Sequence, residues 1–415
     1  MRLIPVRHAP TLLAVLSLAV ISHTAFNASR MTVSLAAIQL KAPTYMVGLL
    51  LSLYALLPML LSLPFGRWID RVGTRLPMLL GAIGLAVGFS VPAFWHELPA
   101  LFVNSACVGV SFLLFHMSVQ KLTGDLADGP ERLRNFGYLT VAYSISGLCG
   151  PIIAGFLIDH AGAGVSFGAS FAGSTVLIIV AFILLKWRWR FGAVTPAQIA
   201  AQPTGATSVR DLLRSSEMRR LYLSVVMVSA AWDVHQFLVP IQGSKIGLSA
   251  SQIGLVLGSF ASATFLIRVL MPWVARHFTE WQMITAVHCV AAVVYVIYPL
   301  VHVHAGLMFL SFVLGLGLGL AQPNIMALIH HVTPPGRIGE AVGLRLTMVN
   351  ATQTVLPTVF GSAGSVLALF MSGTLTFAPL FWGVALMVGS GGVALVRRPP
   401  QRGAGDGPRA SGDTD

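Results

Sequence analysis

The chain has 415 residues, of which 55% are hydrophobic and only 10% are charged, whereas about a quarter of the residues of soluble domains are charged. This composition excludes an ordinary soluble domain and indicates a membrane protein with several spans. The formal net charge of +12 could reflect a nucleic-acid partner, but membrane proteins retain Lys and Arg in cytoplasmic loops, and the distribution described below favours that source. Three cysteines without a CxxC pair predict neither a disulfide framework nor a metal site.

The N-terminus has two interpretations. Arg2, Arg7 and His8 precede an apolar run from Leu12 to Ile21, an arrangement that resembles a secretory signal peptide. We favour an uncleaved first span, because the polar residues after this run recur at a matching position later in the chain.

Twelve apolar segments of about twenty residues predict twelve transmembrane helices. Of the 26 Lys and Arg residues, only Lys41 and Lys245 fall in predicted outer loops, three lie within spans, and the other 21 lie at the cytoplasmic face. This asymmetry predicts that both termini are cytoplasmic. In chain order the predicted spans cover residues 11–36, 45–66, 76–95, 99–121, 135–158, 165–187, 219–241, 252–273, 281–300, 304–330, 338–362 and 374–396.

The loop after the second span reads GRWIDRVGTR. It resembles the signature loop of the major facilitator superfamily, Gly-x-x-x-Asp-Arg-x-Gly-Arg-Arg/Lys, although Thr74 replaces the first of the two terminal basic residues. With twelve spans around it, the resemblance extends over nearly the whole chain and implies a transporter. The matching residues are Gly66, Asp70, Arg71, Gly73 and Arg75.

The two glycines of this loop permit close helix approach and a tight turn. Asp70 can accept hydrogen bonds from a neighbouring helix N-terminus or pair with Arg71 or Arg75. The resemblance implies that the loop latches the cytoplasmic side in the outward-open state, while the alternative is an ordinary solvated ion pair. The equivalent loop of the second half lacks the Asp-Arg-x-Gly core, and we assign Arg268, near the inner end of the eighth span, to the gate.

The fifth span contains GLCGPIIAG. This stretch partly resembles the Gly-Pro motif in helix five of proton-coupled drug exporters of the superfamily, because Gly150 and Pro151 are present but the doubled glycine after them is reduced to Gly155. The resemblance implies export. The alternative is a kinked, tightly packed membrane helix, in which Gly and Pro are common.

A shift of 206 residues superposes the two halves of the chain. VGLLLSLYA from Val47 meets IGLVLGSFA from Ile253, and the same offset aligns four pairs of glycines, among them Gly48 with Gly254 and Gly109 with Gly315. Parallel repeats of this kind indicate two six-helix halves with the substrate path between them. The predicted all-α membrane fold therefore has an N-terminal bundle over residues 1–190, a cytoplasmic linker over 191–217, a C-terminal bundle over 218–396 and a disordered tail over 397–415.

The same shift relates polar stripes on the first and seventh spans. His23, Asn27 and Arg30 are spaced i, i+4, i+7 and so share one helix face. Helices one and seven line the central cavity in this architecture, so the two stripes are expected to face each other across a water-accessible chamber. The equivalent stripe of span seven carries Ser229, Asp233 and Gln236.

An aspartate inside a membrane span points to function, because a charge is costly in hydrocarbon. A poorly hydrated site favours the protonated form of a carboxyl group, so we predict that Asp233 is the proton-coupling site. The alternative is an ion pair with Arg30 that fixes the two halves. His235, two residues further on, points elsewhere on a helix.

Further intramembrane polar residues are candidates for the substrate cavity. His116 in span four corresponds to Gln322 in span ten by the same shift, and a packing role is the more common one for His116, as for His23. Arg30 and Arg345 are candidates for anion recognition, since guanidinium is the natural partner of a carboxylate.

Two polar residues and two aromatic residues complete the candidates. Asn350 and Gln353 are expected to lie on a different face of span eleven from Arg345. Tyr138 and Trp232 could stack on a planar substrate, although aromatic residues in membrane helices usually pack. The predicted cavity set is His23, Asn27, Arg30, His116, Tyr138, Trp232, Gln236, Gln322, Arg345 and Asn350.

We therefore expect a multi-pass inner-membrane transporter, a monomer whose halves rock around a central site under the proton gradient. Its partners are a small-molecule substrate, protons and the lipid bilayer, with no nucleic acid and no cofactor. Efflux of small organic compounds is the leading interpretation, and proton-coupled uptake of an organic acid or similar metabolite is the alternative. No phosphate-binding GxxxxGK[ST] loop, HExxH pair or Ser/His/Asp constellation occurs, which disfavours ATP-driven transport and a membrane enzyme.

Overall fold

The computed structural model of the chain describes residues 9–126, 129–186, 212–334 and 338–397, and no strand occurs in these ranges. Twelve helices, numbered in chain order, account for most of the described chain. Their bounds are α1 Ala9–Gln39, α2 Thr44–Val72, α3 Arg75–Phe94, α4 Leu98–Asp125, α5 Gly129–Ala161, α6 Ala163–Lys186, α7 Ser216–Lys245, α8 Ala250–His277, α9 Glu280–Ile297, α10 His304–Val332, α11 Ile338–Phe370 and α12 Ala378–Arg397, with a short 3-10 turn at Tyr298–Leu300.

Each predicted span corresponds to one of these helices, which confirms the all-α membrane fold. Ten of the described helices are long and apolar enough to cross a membrane, and shorter apolar stretches, Ala163–Ile179 and Ala378–Val393, lie in α6 and α12. Most helices extend past the predicted limits, because helical backbone continues beyond the apolar core of a span. The start of α12 is later than predicted, since the chain first turns through Gly373, whose φ is 98°.

Side-chain caps fix where several helices begin. At the start of α8, Ser249 Oγ accepts a hydrogen bond from the backbone N–H of Gln252 at 3.3 Å, and the Gln252 side chain accepts one from the backbone N–H of Ser249 at 3.0 Å. Thr279 and Gln282 form the same reciprocal pair at the start of α9. These bonds satisfy backbone donors that the first helical turn leaves free.

The two halves repeat the same internal packing. In the first half, a Cβ added at Gly109 of α4 would come within 2.9 Å of the carbonyl oxygen of Tyr54 in α2. In the second half, Gly315 of α10 presses on the carbonyl oxygen of Phe260 in α8. Both residues of this second pair lie 206 positions after their counterparts. The sequence repeat is therefore a repeat of helix packing, with glycine permitting close backbone approach.

The halves meet along two helix pairs, α2 with α11 and α5 with α8. Gly48 of α2 lies directly against the carbonyl oxygen of Pro357 in α11, and Gly254 of α8 lies against that of Pro151 in α5. All these contacts lie at the end of the bundle opposite the face where α1 begins and α12 ends. We call the end with these contacts the closed end. The opposite face, where α1 begins and α12 ends, is called the termini face. Two further glycines close the same end, Gly155 against Ala250 and Gly361 against Thr44.

The equivalent glycines nearer the termini face lack such contacts. Gly137 of α5 and Gly343 of α11 are related by the 206-residue shift, and nothing lies within 4 Å of a Cβ added at either. Between the two ends, Arg268 of α8 still donates a hydrogen bond to Ser144 of α5. The close backbone contacts of α5 and α11 with the other half therefore lie toward the closed end.

Some predictions fall wholly or partly outside the described residues. The linker predicted over 191–217 is described only from residue 212, and the tail predicted over 397–415 only at residue 397. Arg2, Arg7 and His8 at the N-terminus also lie outside the described residues. The exact domain boundaries stay predictions.

Candidate functional site

Helices α1 and α7 bring their polar stripes together between the halves. Asn27 and Arg30 of α1 line one small cavity together with Gln236 of α7. Pro151, which belongs to the closed-end contact of α5 with α8, forms part of the wall. The residues that the 206-residue shift relates therefore meet next to the closed end.

A larger cavity of about 200 Å³ lies beside it, toward the termini face. Its walls come from α7, α8, α10 and α11, all in the second half. It contains one carboxylate and two guanidinium groups, set among apolar residues such as Val225, Leu318 and Ile325. Its polar and aromatic lining consists of Ser229, Trp232, Asp233, Arg268, Gln322, Arg345 and Gln353.

Asp233 is the most deeply buried charge of this cavity, with only 2% of the residue exposed. Neither carboxylate oxygen has a hydrogen-bond partner among the described residues. Arg30 is near enough to act on it electrostatically, but the two form no ion pair in the described part of the chain. A buried carboxylate without a partner is costly unless it is protonated, hydrated or bound to a cation.

His235 lies on the other side of α7, as its spacing from Asp233 predicts. Its Nε2 lies 3.0 Å from Ser311 Oγ of α10, and its ring stacks on Phe260 of α8. The Ser311 hydroxyl also lies 2.9 Å from the hydroxyl of Tyr298. This buried cluster fixes the rotation of α7 about its axis, so that Asp233 faces the cavity.

A matching cluster holds α1. The hydroxyl groups of Ser29 and Tyr54 lie 2.7 Å apart, and Asn104 of α4 donates to the Tyr54 oxygen at 2.8 Å. Ser29 and Tyr54 occupy the positions equivalent to His235 and Phe260. The chemistry differs between the halves, but in both a residue beside the stripe is anchored to the neighbouring helices.

Arg268 lies in the cavity wall, and its assignment to the gate stays a prediction. Because α8 continues to His277, Arg268 lies more than two helical turns from the following loop. Its Nη1 donates to Ser144 Oγ of α5 at 2.8 Å, and its Nη2 donates to Gln322 Oε1 of α10 at 3.3 Å. The guanidinium therefore bridges the two halves and is satisfied by neutral partners.

Arg345 and Gln353 line the same cavity, so the expectation that they lie on different faces of α11 is wrong. Val349, midway between them, also lines it, and the three residues are spaced i, i+4, i+8. Arg345 Nε is buried and has no hydrogen-bond partner in the described ranges. Arg345 thus presents an unsatisfied donor at the cavity.

The first half contributes a pair of histidines. His23 Nε2 of α1 lies 3.3 Å from His116 Nδ1 of α4, and Gln120 Nε2 lies 2.8 Å from the other ring nitrogen of His116. The ring of His23 also packs at 4.2 Å from Tyr143 and at 4.7 Å from Phe112. His116 therefore pairs within its own half, while its repeat counterpart Gln322 pairs with Arg268. Both histidines are thus hydrogen-bonded inside the first half, and their role stays a prediction.

Four predicted cavity residues line neither of the two cavities, namely His23 and His116 of the histidine pair, Tyr138 and Asn350. Tyr138 packs against the hydrophobic core, and Asn350 lies between cavity residues on α11 but does not line the cavity. Asn350 is one position away from Val349, and on a helix that step turns the Asn350 side chain about 100° away from the direction of Val349.

The loop after α2 makes a tight turn at Gly73, whose φ of 81° suits glycine. Asp70 forms an ion pair with Lys121 of α4, and in the described residues none joins it to Arg71 or Arg75. The expected partners were therefore wrong for this conformation. The missed partner lies 51 positions away, a separation at which no local pattern could indicate contact. Gly66 packs near Met117 of α4, on the same side of the first half.

Replacing Asp70 with Asn is expected to slow turnover several-fold without weakening substrate binding. The carboxylate lies outside the cavity, and a half-exposed ion pair contributes little to stability, so any large effect must come from another conformation. The measurement is transport turnover beside equilibrium binding on purified protein. Lys121→Met is the control. If Asp70→Asn slows turnover no more than Lys121→Met does, the role of Asp70 is limited to its ion pair with Lys121. Unimpaired turnover in Asp70→Asn rejects the latch.

Several residues of the site were not predicted from the sequence. Ser144 and Gln120 are single polar residues in apolar helices, a pattern that usually means packing. Asp159 and Ser365 lie near helix ends, where polar residues are common, yet both make contacts between the halves. The 206-residue offset that relates Asp159 to Ser365 was the available signal. No group of three or more potential metal ligands occurs among the described residues.

Comparison with known proteins agrees with this architecture. The family model described as Major Facilitator Superfamily matches residues 15–357. The chain is 24% identical over 320 residues to the "Tetracycline resistance protein, class B" of Escherichia coli, which covers 75% of this chain and 77% of that protein. It is 23% identical over 324 residues to the "Quinolone resistance protein NorA" of Staphylococcus aureus (strain MSSA476), which covers 76% of this chain and 80% of that protein.

A solved structure shares the fold. A POT family transporter, crystallised with a thioalcohol-conjugated peptide, superposes with a TM-score of 0.76 at 14% identity. The superposition covers 94% of this chain and 96% of that chain.

Proposed function

We propose that this chain, which belongs to the major facilitator superfamily, exports small organic compounds by proton-driven antiport. The family and the two similar proteins are transporters, so the chain is a multi-pass membrane transporter of small molecules and not an enzyme. The single observation that carries the coupling proposal is the buried, unpartnered carboxylate of Asp233 in the cavity lined by α7, α8, α10 and α11.

The shape of the molecule supports alternating access. The halves touch tightly at the closed end, whereas two glycines nearer the termini face have open space beside them. In this proposal the termini face is cytoplasmic, in a bacterial inner membrane, as the distribution of Lys and Arg predicts. In this proposal the structure is the inward-facing state, from which the substrate enters. Rocking of the halves would then open the closed end to the outside.

Asp233 suits the coupling step because its surroundings change with that motion. In the inward-facing state it lies in a cavity open to the cytoplasm and can lose its proton there. In the outward-facing state it would take up a proton from the other side. Export in exchange for protons requires that substrate and proton exclude one another at the site. When the binding of one weakens the binding of the other, each crossing carries only one of them, and the two move in opposite directions.

Energised vesicles test the proposal. Inside-out vesicles containing the protein, with an acidic interior, should accumulate tetracycline or a quinolone, the compounds named for the similar proteins. Collapse of the pH gradient should release them. Absence of gradient-dependent flux of any solute, with either polarity of gradient, would contradict proton-coupled transport.

Uptake of an organic acid by proton symport is the second candidate. Two arginines face the cavity against a single aspartate, and guanidinium groups bind carboxylates. A simple organic anion would bind more tightly when Asp233 is protonated, so the anion and the proton would travel together. The same vesicles distinguish the candidates, because symport accumulates solute only when the gradient is reversed.

A further inference from the structure

Two opposite charges line the larger cavity, in the second half, without meeting. Asp233 and Arg345 both face the space of about 200 Å³, yet no ion pair joins them in the described residues. Both Asp233 oxygens and Arg345 Nε lack hydrogen-bond partners there. Arg268, the third charged residue of the wall, is instead satisfied by Ser144 and Gln322. The cavity thus offers one free acceptor group and one free donor group.

From this pair we infer that the substrates are zwitterionic amphipathic molecules, whose carboxylate binds Arg345 and whose ammonium binds Asp233. The inference rests on the proposed transport function and names its substrate class. An anion alone would leave the buried Asp233 unpaired, and a cation alone would leave the buried Nε of Arg345 without an acceptor, each at a cost. A molecule that carries both charges satisfies both residues. Trp232 supplies an aromatic wall for its apolar part.

A zwitterion also gives the sign of coupling that export requires. The ammonium group and a proton would compete for the same carboxylate of Asp233, so bound substrate and bound proton exclude one another. A simple anion gives the opposite sign, as in the second candidate. The second charge of the substrate therefore distinguishes antiport from symport at this site.

Four probes with one fluorophore and one five-carbon chain test the inference. Nε-dansyl-lysine carries both charges, dansylcadaverine lacks the carboxylate, dansyl-aminocaproate lacks the amine, and dansyl-pentylamine lacks both. Fluorescence titration of the full-length protein in nanodiscs should show that Nε-dansyl-lysine binds at least about tenfold more tightly than each of the others. Weak or absent binding of Nε-dansyl-lysine, or equal binding of a singly charged probe, overturns the inference.

Two variants locate the charges. Arg345→Gln should remove the preference for Nε-dansyl-lysine over dansylcadaverine, and Asp233→Asn should remove its preference over dansyl-aminocaproate. Arg276→Gln, at an exposed arginine near the end of α8, is the matched control and should keep both preferences. Thermal unfolding verifies that each variant is folded, and Arg345→Lys should retain part of the first preference. Preferences unchanged in Arg345→Gln overturn the assignment of Arg345.

A transport readout separates this inference from the proposed function. Gradient-driven flux of dansylcadaverine or tetracycline without any preference for Nε-dansyl-lysine would support proton-driven export and contradict a zwitterionic substrate class. Charge-selective binding without gradient-driven flux would support the substrate class and contradict proton-driven export.

A separate observation concerns the closed end. The two carboxylate oxygens of Asp159, in the last turn of α5, accept hydrogen bonds from the backbone N–H groups of Ala250 at 2.9 Å and Ser251 at 2.7 Å. These donors belong to the first turn of α8, in the other half. A carboxylate at a helix N-terminus is stabilised by the unpaired N–H groups and by the helix dipole.

The repeat supplies a weaker version of the same contact. Ser365 of α11 lies 206 positions after Asp159, and its Oγ accepts from the backbone N–H of Tyr45 at 2.8 Å, in the first turn of α2. At the closed end, the first turn of α8 is therefore capped by the charged Asp159 of α5, and the first turn of α2 is capped by the neutral Ser365 of α11. We propose that Asp159 is the dominant polar lock of the closed end.

Distances between spin labels test the lock. In a background with Cys107, Cys149 and Cys289 replaced by serine, labels at Leu40 and Phe370 report the closed end. Asp159→Ala should increase several-fold the fraction of molecules with a longer distance between these two labels. Asp159→Asn should increase that fraction less, and Ser365→Ala should increase it least. Labels at Val72 and Leu346 should show the termini face closing in parallel. Unchanged distances in Asp159→Ala, with the protein folded, overturn the proposal.

Discussion

Replacing Asp233 with Asn is expected to abolish proton-driven transport, while substrate counterflow continues at saturating substrate, although loss of the carboxylate weakens the binding of an ammonium group. The amide keeps the size of the side chain but can neither bind nor release a proton, so the gradient has no group on which to act. Counterflow needs only substrate exchange through the alternating cavity. Proteoliposomes measure both, with an imposed pH gradient in one case and preloaded unlabelled solute in the other.

Asp233→Glu is the matched control, since it restores a titratable carboxyl group and should restore part of the proton-driven flux. Survival of proton-driven flux in Asp233→Asn would show that another group carries the proton. Loss of counterflow as well would indicate that the residue is needed for substrate exchange in general.

The structural alternative for Asp233 is a pairing with Arg30 in some state of the cycle. A variant that removes one partner of a buried pair leaves an uncompensated charge, whereas removal of both is much less harmful. If pairing is the role, Asp233→Asn combined with Arg30→Gln should recover transport relative to either single variant. If Asp233 carries the proton, the double variant stays inactive in gradient-driven flux.

Gly48→Ala is expected to shift the protein away from the closed-end contact and to reduce turnover strongly. The added methyl group would overlap the carbonyl oxygen of Pro357, and a backbone atom cannot move aside as a side chain can. Overpacking costs about 1–3 kcal/mol, and an effect of that size changes a two-state population by roughly 5- to 150-fold. The labels at Leu40 and Phe370 should report longer distances, and transport assays should report slower turnover.

The repeat supplies both a parallel and a control for this variant. Gly254→Ala should act in the same direction, because Gly254 presses on the carbonyl oxygen of Pro151 in the equivalent helix pair. Gly343→Ala should be nearly silent in this state, since nothing lies within 4 Å of the added Cβ. Equal effects of Gly48→Ala and Gly343→Ala would mean that helix propensity, and not the contact between the halves, is responsible.

The fold and the helices that carry the site follow from the amino-acid sequence alone. Span length, the distribution of Lys and Arg, and the 206-residue offset all arise from local composition and order along the chain. The same offset relates the stripe of Arg30 to that of Asp233 without any knowledge of side-chain contacts. Because a repeat preserves relative positions, it also predicts that α1 and α7 line one space.

Which side chains meet depends on the tertiary structure. The sequence could not pair Asp70 with Lys121, connect Arg268 to Ser144, or place Asp159 on the first turn of α8, because each contact joins helices that are distant along the chain. It also could not show that Asp233 and Arg345 line one cavity unpaired. Such contacts depend on helix rotation and on the spacing between the halves. These are set by packing, by glycines pressed on backbone at one end and by open space at the other, and no local pattern in the chain encodes them.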